Sequence, residues 1–182
     1  GYEWLRELGH SCAEKTAIQD AEVILITDLK AYLREADTLD AIVRGGAVAF
    51  FFPLPVGSHR IGASMVEIKK AGMGPRHFVS CQTDHPMVLD FKMDAFKFWY
   101  DESCGHPSPI LNSSFEGERW DCILKTSDGG WGRSWEPVMA AGEKAHGKGK
   151  WRIGQVDLRY RVKTNPVAKI FGRRMLEPIQ AK

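Results

Sequence analysis

The sequence has no apolar run of about 18 residues, the length that a membrane-spanning helix needs. Its longest apolar stretch, residues 45–56, carries two prolines and predicts a buried strand with its exit loop. The N-terminus also lacks a basic segment followed by a hydrophobic run, so we expect no signal peptide in this chain. These absences predict no membrane partner and leave open a cytoplasmic, periplasmic or secreted location.

Metal and redox motifs are missing as well. The four cysteines, Cys12, Cys81, Cys104 and Cys122, are too scattered for a C-x-x-C motif. We expect isolated thiols, with one disulfide as the open alternative. The nearest approach to a ligand pair is Cys104 with His106, in a segment rich in glycine and proline that predicts a surface loop. The sequence therefore predicts no metal site.

Phosphate and serine-nucleophile motifs are absent too. The glycine pair at residues 45–46 lacks the remainder of a G-x-G-x-x-G fingerprint, and no Walker-type lysine follows it. Residues 62–66 (GASMV) lack the second glycine of the G-x-S-x-G motif. We expect the glycine pair to end a helix, and we expect no bound cofactor.

The residues that are present predict one α/β domain over residues 1–182. With 43% hydrophobic and 26% charged residues, the composition is that of a folded protein. Residues 22–28 form a β-branched run typical of a strand covered on both faces. Residues 29–43 have helical periodicity, and residues 47–52 return to a strand. This order predicts a βαβ unit with parallel strands.

The rest of the chain predicts mostly short strands. A helix is expected at residues 2–8, ending at Gly9, and strands at residues 65–70, 77–81, 120–126, 138–143 and 150–158. Residues 147–149 (GKG) predict a hairpin turn, and residues 94–100 predict a strand or one short helix. Asn165 and Pro166 predict the start of a helix that ends at Pro178. Together these elements predict an open sheet with a parallel core and antiparallel additions.

Charge is distributed unevenly along the chain. Residues 141–182 hold 11 Lys and Arg against 3 Asp and Glu, whereas residues 1–140 hold 14 against 20. The basic residues are spread over the hairpin and the last helix, without the concentrated run and interleaved aromatics of a nucleic-acid site. We therefore expect no nucleic-acid partner, and we expect the basic residues to contact a neighbouring domain. They include Lys144, Lys148, Lys150, Arg159 and Arg161.

A series of short motifs carries a resemblance to a known family. They include residues 96–101 (FKFWYD), 129–131 (GGW), 155–158 (QVDL) and 165–168 (NPVA). With the earlier GG at 45–46 and RHFVS at 76–80, the chain resembles the module at the C-terminal end of some family 2 glycoside hydrolases, enzymes similar to β-galactosidases and β-glucuronidases. That module is similar to class I glutamine amidotransferase domains, so the resemblance implies a flavodoxin-like core.

The resemblance also implies a longer parent chain. An amidotransferase-like domain normally opens with a strand, whereas this sequence begins in a predicted helix. We expect a C-terminal fragment of a longer polypeptide, whose partners are the other domains of the parent glycosidase and, as a further option, a second copy of the chain.

An amidotransferase nucleophile would be a cysteine on a tight elbow with flanking glycines. The region expected to hold that elbow, residues 57–64, contains no cysteine. Cys81 has His85 four residues later, but it lacks a neighbouring glycine and no His-x-Glu pair follows. We therefore expect a scaffold that has lost the amidotransferase activity, with an enzyme that uses Cys81 and His85 as the alternative.

Glycosidase catalysis needs two carboxylates on opposite sides of a sugar ring. The acids available are Asp128, Glu116, Glu118 and Glu143. The resemblance places the catalytic acids of family 2 enzymes in a (β/α)8 barrel, for which this chain is too short. We expect solvated surface carboxylates here, and no catalytic residue.

The glycine-rich segment at residues 126–136 is the strongest candidate for ligand contact. Trp131 and Trp135, with Asp128 and Arg133 beside them, could stack on a sugar face and bind its hydroxyls. The competing interpretation is that the two rings pack on their own domain or on a neighbour. The leading hypothesis is a non-catalytic accessory domain of a family 2-like glycosidase, and a carbohydrate-binding module is the third alternative.

Overall fold

The computed structural model of the protein describes residues 3–10, 18–72, 79–127 and 137–178. Over these residues the chain forms four α-helices, a short 3₁₀ helix (Ile18–Asp20) and ten strands. The helices are α1 (Glu3–Glu7), α2 (Leu29–Arg34), α3 (Ala36–Gly45) and α4 (Pro166–Met175). The strands are β1 (Val23–Ile26), β2 (Val48–Phe51), β3 (Gly57–Ile61), β4 (Ser64–Lys70), β5 (Phe98–Asp101), β6 (His106–Pro109), β7 (Ser113–Gly117), β8 (Asp121–Ser127), β9 (Pro137–His146) and β10 (Gly149–Gly154). No described helix is long and apolar enough to cross a membrane.

The predicted βαβ unit is confirmed, since β1 and β2 pair in parallel. The chain between them forms two helices that meet at Glu35, where a single helix over residues 29–43 was predicted. Asp28 caps α2, because its carboxylate accepts two backbone N–H groups of the first turn at 2.8 and 3.1 Å. Gly46 follows α3 with φ of 138°, so the glycine pair ends the helix as predicted.

Eight of the described strands form one mixed sheet in the order β1–β2–β10–β9–β7–β4–β3, with β8 paired to β9. Parallel pairing is limited to β1–β2 and β2–β10, and the other pairs are antiparallel. The α/β class is therefore correct, but the expected flavodoxin-like parallel core is not confirmed. The physical reason is that parallel pairs need long crossovers, whereas β3–β4 and β9–β10 are joined by short turns as antiparallel neighbours, and β8 and β9, which follow each other in the sequence, also pair antiparallel.

Most helices and strands in the second half of the chain lie where the sequence predicts them. The hairpin at residues 147–149 joins β9 to β10, and α4 begins at Pro166 after Asn165 and ends at Met175, three residues before the predicted end. Residues 94–97 form turns before β5. Of the strand predicted at 77–81, only a single bridge between Ser80 and Lys125 lies within the described residues.

The sheet buries both of its faces, because successive strand residues point to opposite sides. On the first side, which we call the α3 face, Phe51 and Trp151 pack with Val43 of α3. On the second side, the α4 face, Phe50 packs with Phe171 of α4, with α1 and with the segment at residues 79–96. The polar residues described below lie on the α4 face.

Candidate functional site

The predicted sugar-contact residues lie outside the described part of the chain. The structure describes the strands on either side, where Ser127 of β8 is opposite Pro137 of β9. The role proposed for the residues between them stays a prediction. These residues are Trp131, Trp135, Asp128 and Arg133.

The alternative nucleophile Cys81 is a core residue. Its side chain is buried, and its thiol points at the carbonyl oxygens of Phe91 and Lys92, at 3.8 and 3.4 Å. Burial raises the pKa of the Cys81 thiol, so the nucleophilic thiolate is disfavoured. The region expected to hold an elbow, residues 57–64, forms the β3–β4 hairpin instead.

His85 contacts a different set of groups. Its Nδ1 accepts a hydrogen bond from the backbone N–H of Met87 at 3.3 Å, and its Nε2 lies 3.4 Å from Oε1 of Glu143. Accepting at Nδ1 places the ring proton on Nε2, where it faces the carboxylate. Both ring nitrogens of His85 therefore have partners, and neither partner is Cys81.

Glu143 is the centre of a buried charge cluster on the α4 face. It lies on β9 between Arg152 of β10 and Asp121 of β8, its directly opposite residues in the two antiparallel pairs. The Nε of Arg152 donates to Oε2 of Glu143 at 3.0 Å, and the ammonium of Lys150 contacts Oε1. The side chain of Glu143 is 4% exposed. We call Glu143, Arg152, Lys150 and His85 the Glu143 cluster.

The electrostatics of the cluster keep Glu143 ionised. Burial alone would raise the pKa of this carboxyl, because it removes water from the charged form. Hydrogen bonds from His85 and Lys150 and the charge of Arg152 outweigh burial and lower the pKa of Glu143 to about 2. Glu143 is therefore a carboxylate throughout the neutral range, so it is a weak base that does not donate protons.

Arg152 also joins the sheet to the end of α4. Its Nη1 donates to the backbone carbonyls of Arg174, Met175 and Glu177, at 3.2, 3.0 and 2.8 Å. The last carbonyls of a helix have no partner within the helix and carry its negative dipole end. The guanidinium of Arg152 donates hydrogen bonds to carbonyls at this helix end. Its positive charge is in turn balanced by the carboxylate of Glu143.

The Glu143 cluster lines an open cleft of about 640 Å³. Asp84, which has φ of 56°, lies at this cleft beside His85, in a left-handed conformation that aspartate tolerates better than most residues. Cys122 also lines the cleft, and burial raises the pKa of its thiol to about 11. Near neutral pH Glu143 is thus ionised and Cys122 is a thiol.

The groups of the Glu143 cluster are paired with one another and, through Arg152, with the end of α4. Acid–base catalysis needs a group that exchanges a proton near the working pH, and thiol catalysis needs a thiolate. Glu143 stays ionised, Cys122 stays a thiol, and both nitrogens of His85 are engaged. Within the described residues, no set of three His, Cys, Asp or Glu side chains is arranged to hold a metal ion.

The expectation that the acids are solvated was wrong for Glu143. Glu118 is 85% exposed and Glu116 forms an exposed ion pair with Lys69 at 2.9 Å, as surface carboxylates do. The sequence prediction did not give the partner of Glu143. The turn consists of Gly147 and Lys148, with Gly149 opposite His146, and this register places Glu143 opposite Arg152. A turn over all of residues 147–149 would place Glu143 opposite Ile153 instead.

The basic C-terminal region is largely engaged within the domain. The guanidinium of Arg161 is 6% exposed and lies 2.7 Å from Oδ2 of Asp101, which anchors β5 and β6. Arg174 binds Asp90 through two bonds of 2.5 and 2.8 Å. Much of the basic region is therefore paired within the domain, and Lys148 and Arg159 are the exposed members of the basic set expected to contact a neighbouring domain.

No protein-family model matches the chain, and no curated protein matches it by sequence. Solved structures share its fold. A cold-adapted β-galactosidase from Rahnella sp. R3 aligns with 97% of this chain at a TM-score of 0.52 and 10% identity, and the chain spans 26% of it. The cytoplasmic protein STM3548 from Salmonella typhimurium aligns with 96% at a TM-score of 0.55 and 11% identity, and the chain spans 85% of it. The fold thus occurs within a β-galactosidase chain and in a small separate chain.

Proposed function

We propose that this chain is a non-catalytic accessory domain of a glycoside hydrolase, acting by packing against the rest of the enzyme or by supporting its oligomer contacts. The observation that carries the proposal is the pairing of the Glu143 cluster, in which the Glu143 carboxylate at the cleft contacts Arg152, Lys150 and His85. The fold shared with about a quarter of a β-galactosidase chain supports the association with a glycosidase. The resemblance to the family 2 C-terminal module supports the same class of parent.

The reading frame of the full gene provides the first test. An accessory role requires a catalytic (β/α)8 domain in the same polypeptide or in a partner encoded beside it. Deleting residues 1–182 from that protein should lower the yield of folded enzyme or change its oligomeric state, while the intrinsic kcat of the remaining folded enzyme stays within about twofold. A gene that encodes no such domain and no such partner contradicts the proposal.

A second test measures whether a cysteine of the domain is activated as a nucleophile. Labelling with iodoacetamide at pH 6 should modify Cys81 and Cys122 slowly, because burial holds both thiols protonated. The exposed Cys104 provides the internal reference for an ordinary thiol. Labelling of Cys81 faster than Cys104 would contradict the proposal and support an amidotransferase-like or hydrolase activity.

The likeness to the Salmonella protein favours a second candidate, an independently folded small protein that works without a parent enzyme. This chain spans 85% of that protein, so the fold does not require further domains to exist. Purification of residues 1–182 alone as a soluble, cooperatively unfolding species, together with a reading frame of similar length, would favour this candidate over the accessory domain.

A further inference from the structure

The cleft beside the Glu143 cluster holds hydrogen-bond donors that the cluster itself does not use. The Nε and Nη1 of Arg152 bind Glu143 and the end of α4, whereas its Nη2 has no acceptor among the described residues. Within the same part of the chain the ammonium of Lys150 contacts Glu143 alone, which leaves two of its three donors. The side chain of Arg152 is 5% exposed, and both basic residues line the cleft. Cationic donors without a described acceptor therefore lie at the cleft.

Acceptors lie at the same cleft, next to these donors. A carboxylate has about four acceptor sites, and contacts from Arg152, Lys150 and His85 occupy three of those of Glu143. Asp121 is directly opposite Glu143 on β8, so its side chain is on the same face of the sheet. Asp121 is exposed and lines the cleft. The cleft thus combines donors and acceptors of hydrogen bonds at close range.

The charges of the cleft favour a neutral ligand. Its described lining has two cations and three carboxylates, namely Lys150, Arg152, Glu143, Asp84 and Asp121. An anion bound to Nη2 of Arg152 would lie beside the Glu143 carboxylate, which is 3.0 Å from Nε of the same guanidinium, and like charges repel more strongly as water is excluded. A cation at the carboxylates would meet the two basic groups in the same way. A hydroxyl group avoids both repulsions, because it accepts one hydrogen bond and donates another.

The remainder of the lining suits the carbon skeleton of such a ligand. Pro86, Met87 and Pro178 supply apolar surface at the cleft. Sites for small molecules combine apolar lining with a few convergent polar groups, in volumes of about 300–1,000 Å³. The cleft measures about 640 Å³. Its described lining contains no ring of Phe, Tyr or Trp, so aromatic stacking does not add to the affinity.

We propose that this cleft binds a small neutral ligand with adjacent hydroxyl groups, of the size of a monosaccharide. One hydroxyl accepts from Nη2 of Arg152 and from the ammonium of Lys150, and its neighbour donates to the carboxylate of Asp121. The inference goes beyond the accessory role proposed above, which needs no ligand, and it concerns residues other than the predicted sugar-contact segment. Few hydrogen bonds without stacking predict a weak complex, with a dissociation constant on the order of millimolar.

Titration followed by proton–nitrogen nuclear magnetic resonance tests for the ligand. The probes are D-galactose, D-glucose and D-mannose, and tetrahydropyran, which has the ring without hydroxyl groups, is the matched control. At least one sugar should shift the amide signals of His85, Asp121 and Cys122 saturably, with a dissociation constant about tenfold or more below that of tetrahydropyran. Equal binding of tetrahydropyran, or no saturable shift at these residues with any of the sugars up to about 100 mM, would overturn the proposal.

Two substitutions test which groups of the cleft hold the sugar. Asp121→Ala removes an exposed acceptor and Lys150→Met removes donors, and neither change removes the bonds of Arg152. Each should raise the dissociation constant of the bound sugar about threefold or more, because each removes a hydrogen bond. Asp37→Ala is the matched control, since Asp37 is an exposed acid of α3 outside the lining of this cleft, and it should leave the constant unchanged. The amide spectra show whether each variant is folded.

Inorganic phosphate and methylammonium test the charge of the ligand. An anion site would bind phosphate more tightly in Asp121→Ala, and a cation site would bind methylammonium more tightly in Lys150→Met, because each variant removes a like charge. For a site of the proposed kind, neither ion should bind as tightly as the best of the three sugars. Tighter binding of either ion than of every sugar would contradict a neutral hydroxylated ligand.

Discussion

The two faces of the central sheet are stabilised in different ways. On the α3 face, Phe51, Trp151 and Ile153 pack against helices through apolar and aromatic contacts. On the α4 face the apolar core is interrupted by Glu143 and Arg152, which are 3% and 4% exposed. Neighbouring residues of β10 thus have different roles. Trp151 and Ile153 pack in the apolar core of the α3 face, whereas Arg152 donates hydrogen bonds to the end of α4 on the other face. The difference predicts that changes to the buried Glu143–Arg152 pair act through the α4 face.

Removing the carboxylate should have the largest effect. Glu143→Ala leaves the buried Arg152 without a counter-ion beside Lys150, which is 33% exposed, so we expect a loss of about 3–5 kcal/mol in the free energy of unfolding. Urea denaturation followed by tryptophan fluorescence measures it. Replacing both partners, as Glu143→Met with Arg152→Met, should cost no more than the single change, because the buried guanidinium is removed with its counter-ion and only the partly exposed Lys150 stays charged.

A double variant that is much less stable than Glu143→Ala would show that Arg152 matters mainly through its three bonds to the end of α4. The two faces of the sheet would then differ in hydrogen bonding to a helix end and not in buried charge. A Glu143→Ala variant within about 1 kcal/mol of the unmodified protein would mean that water or another acid replaces the carboxylate.

Acid should destabilise the α4 face through the same residue. The pKa of Glu143 is about 2 in the folded state against a usual value of 4.5. A carboxyl with a lowered folded pKa contributes stability above its unfolded pKa and loses it as the pH falls towards the folded value. We expect Glu143 to contribute roughly 3 kcal/mol above pH 4.5 and to lose this between pH 4.5 and 2.

Denaturation curves at several pH values would isolate that contribution. Asp90 and Asp101 also have lowered pKa values, so the unmodified protein loses stability from several groups in the same range. Subtracting the free energy of unfolding of Glu143→Gln from that of the unmodified protein at each pH removes the contribution of Asp90 and Asp101. Parallel pH dependences of these two proteins below pH 4.5 would contradict the assignment to Glu143.

On the α3 face, a smaller and pH-independent effect is expected. Ile153 is fully buried there, and Ile153→Val removes one methylene group from the apolar core. We expect a loss of about 0.5–1.5 kcal/mol, equal at pH 7 and pH 4 within error. The same urea titrations measure it. A loss that grows in acid would show that the two faces are coupled through β10.

Local patterns predicted the βαβ unit, the β9–β10 hairpin and the start of α4, because turn residues and periodicity act over short distances. The Glu143–Arg152 pair depends on a β9–β10 turn of two residues, one fewer than the turn predicted at residues 147–149. The antiparallel extension through β7, β4 and β3 depends on contacts between distant residues, such as Phe115 with Met139, and no local pattern reveals them. The edge position of β1 is likewise a property of the whole sheet, since its sequence is that of a central strand.

The smallest effect should come from the surface of the α4 face. Arg174 binds Asp90 with good bidentate geometry, and the ion pair lowers the pKa of Asp90 to about 2. Asp90, however, is 64% exposed, so water competes for the same groups and screens their attraction. We expect Asp90→Asn to cost the least of these changes and to do so only at low salt, where the attraction is less screened. Thermal unfolding at about 20 mM and about 500 mM sodium chloride measures the difference. A loss as large as that of Glu143→Ala would mean that burial does not decide the strength of the charge pairs on this face.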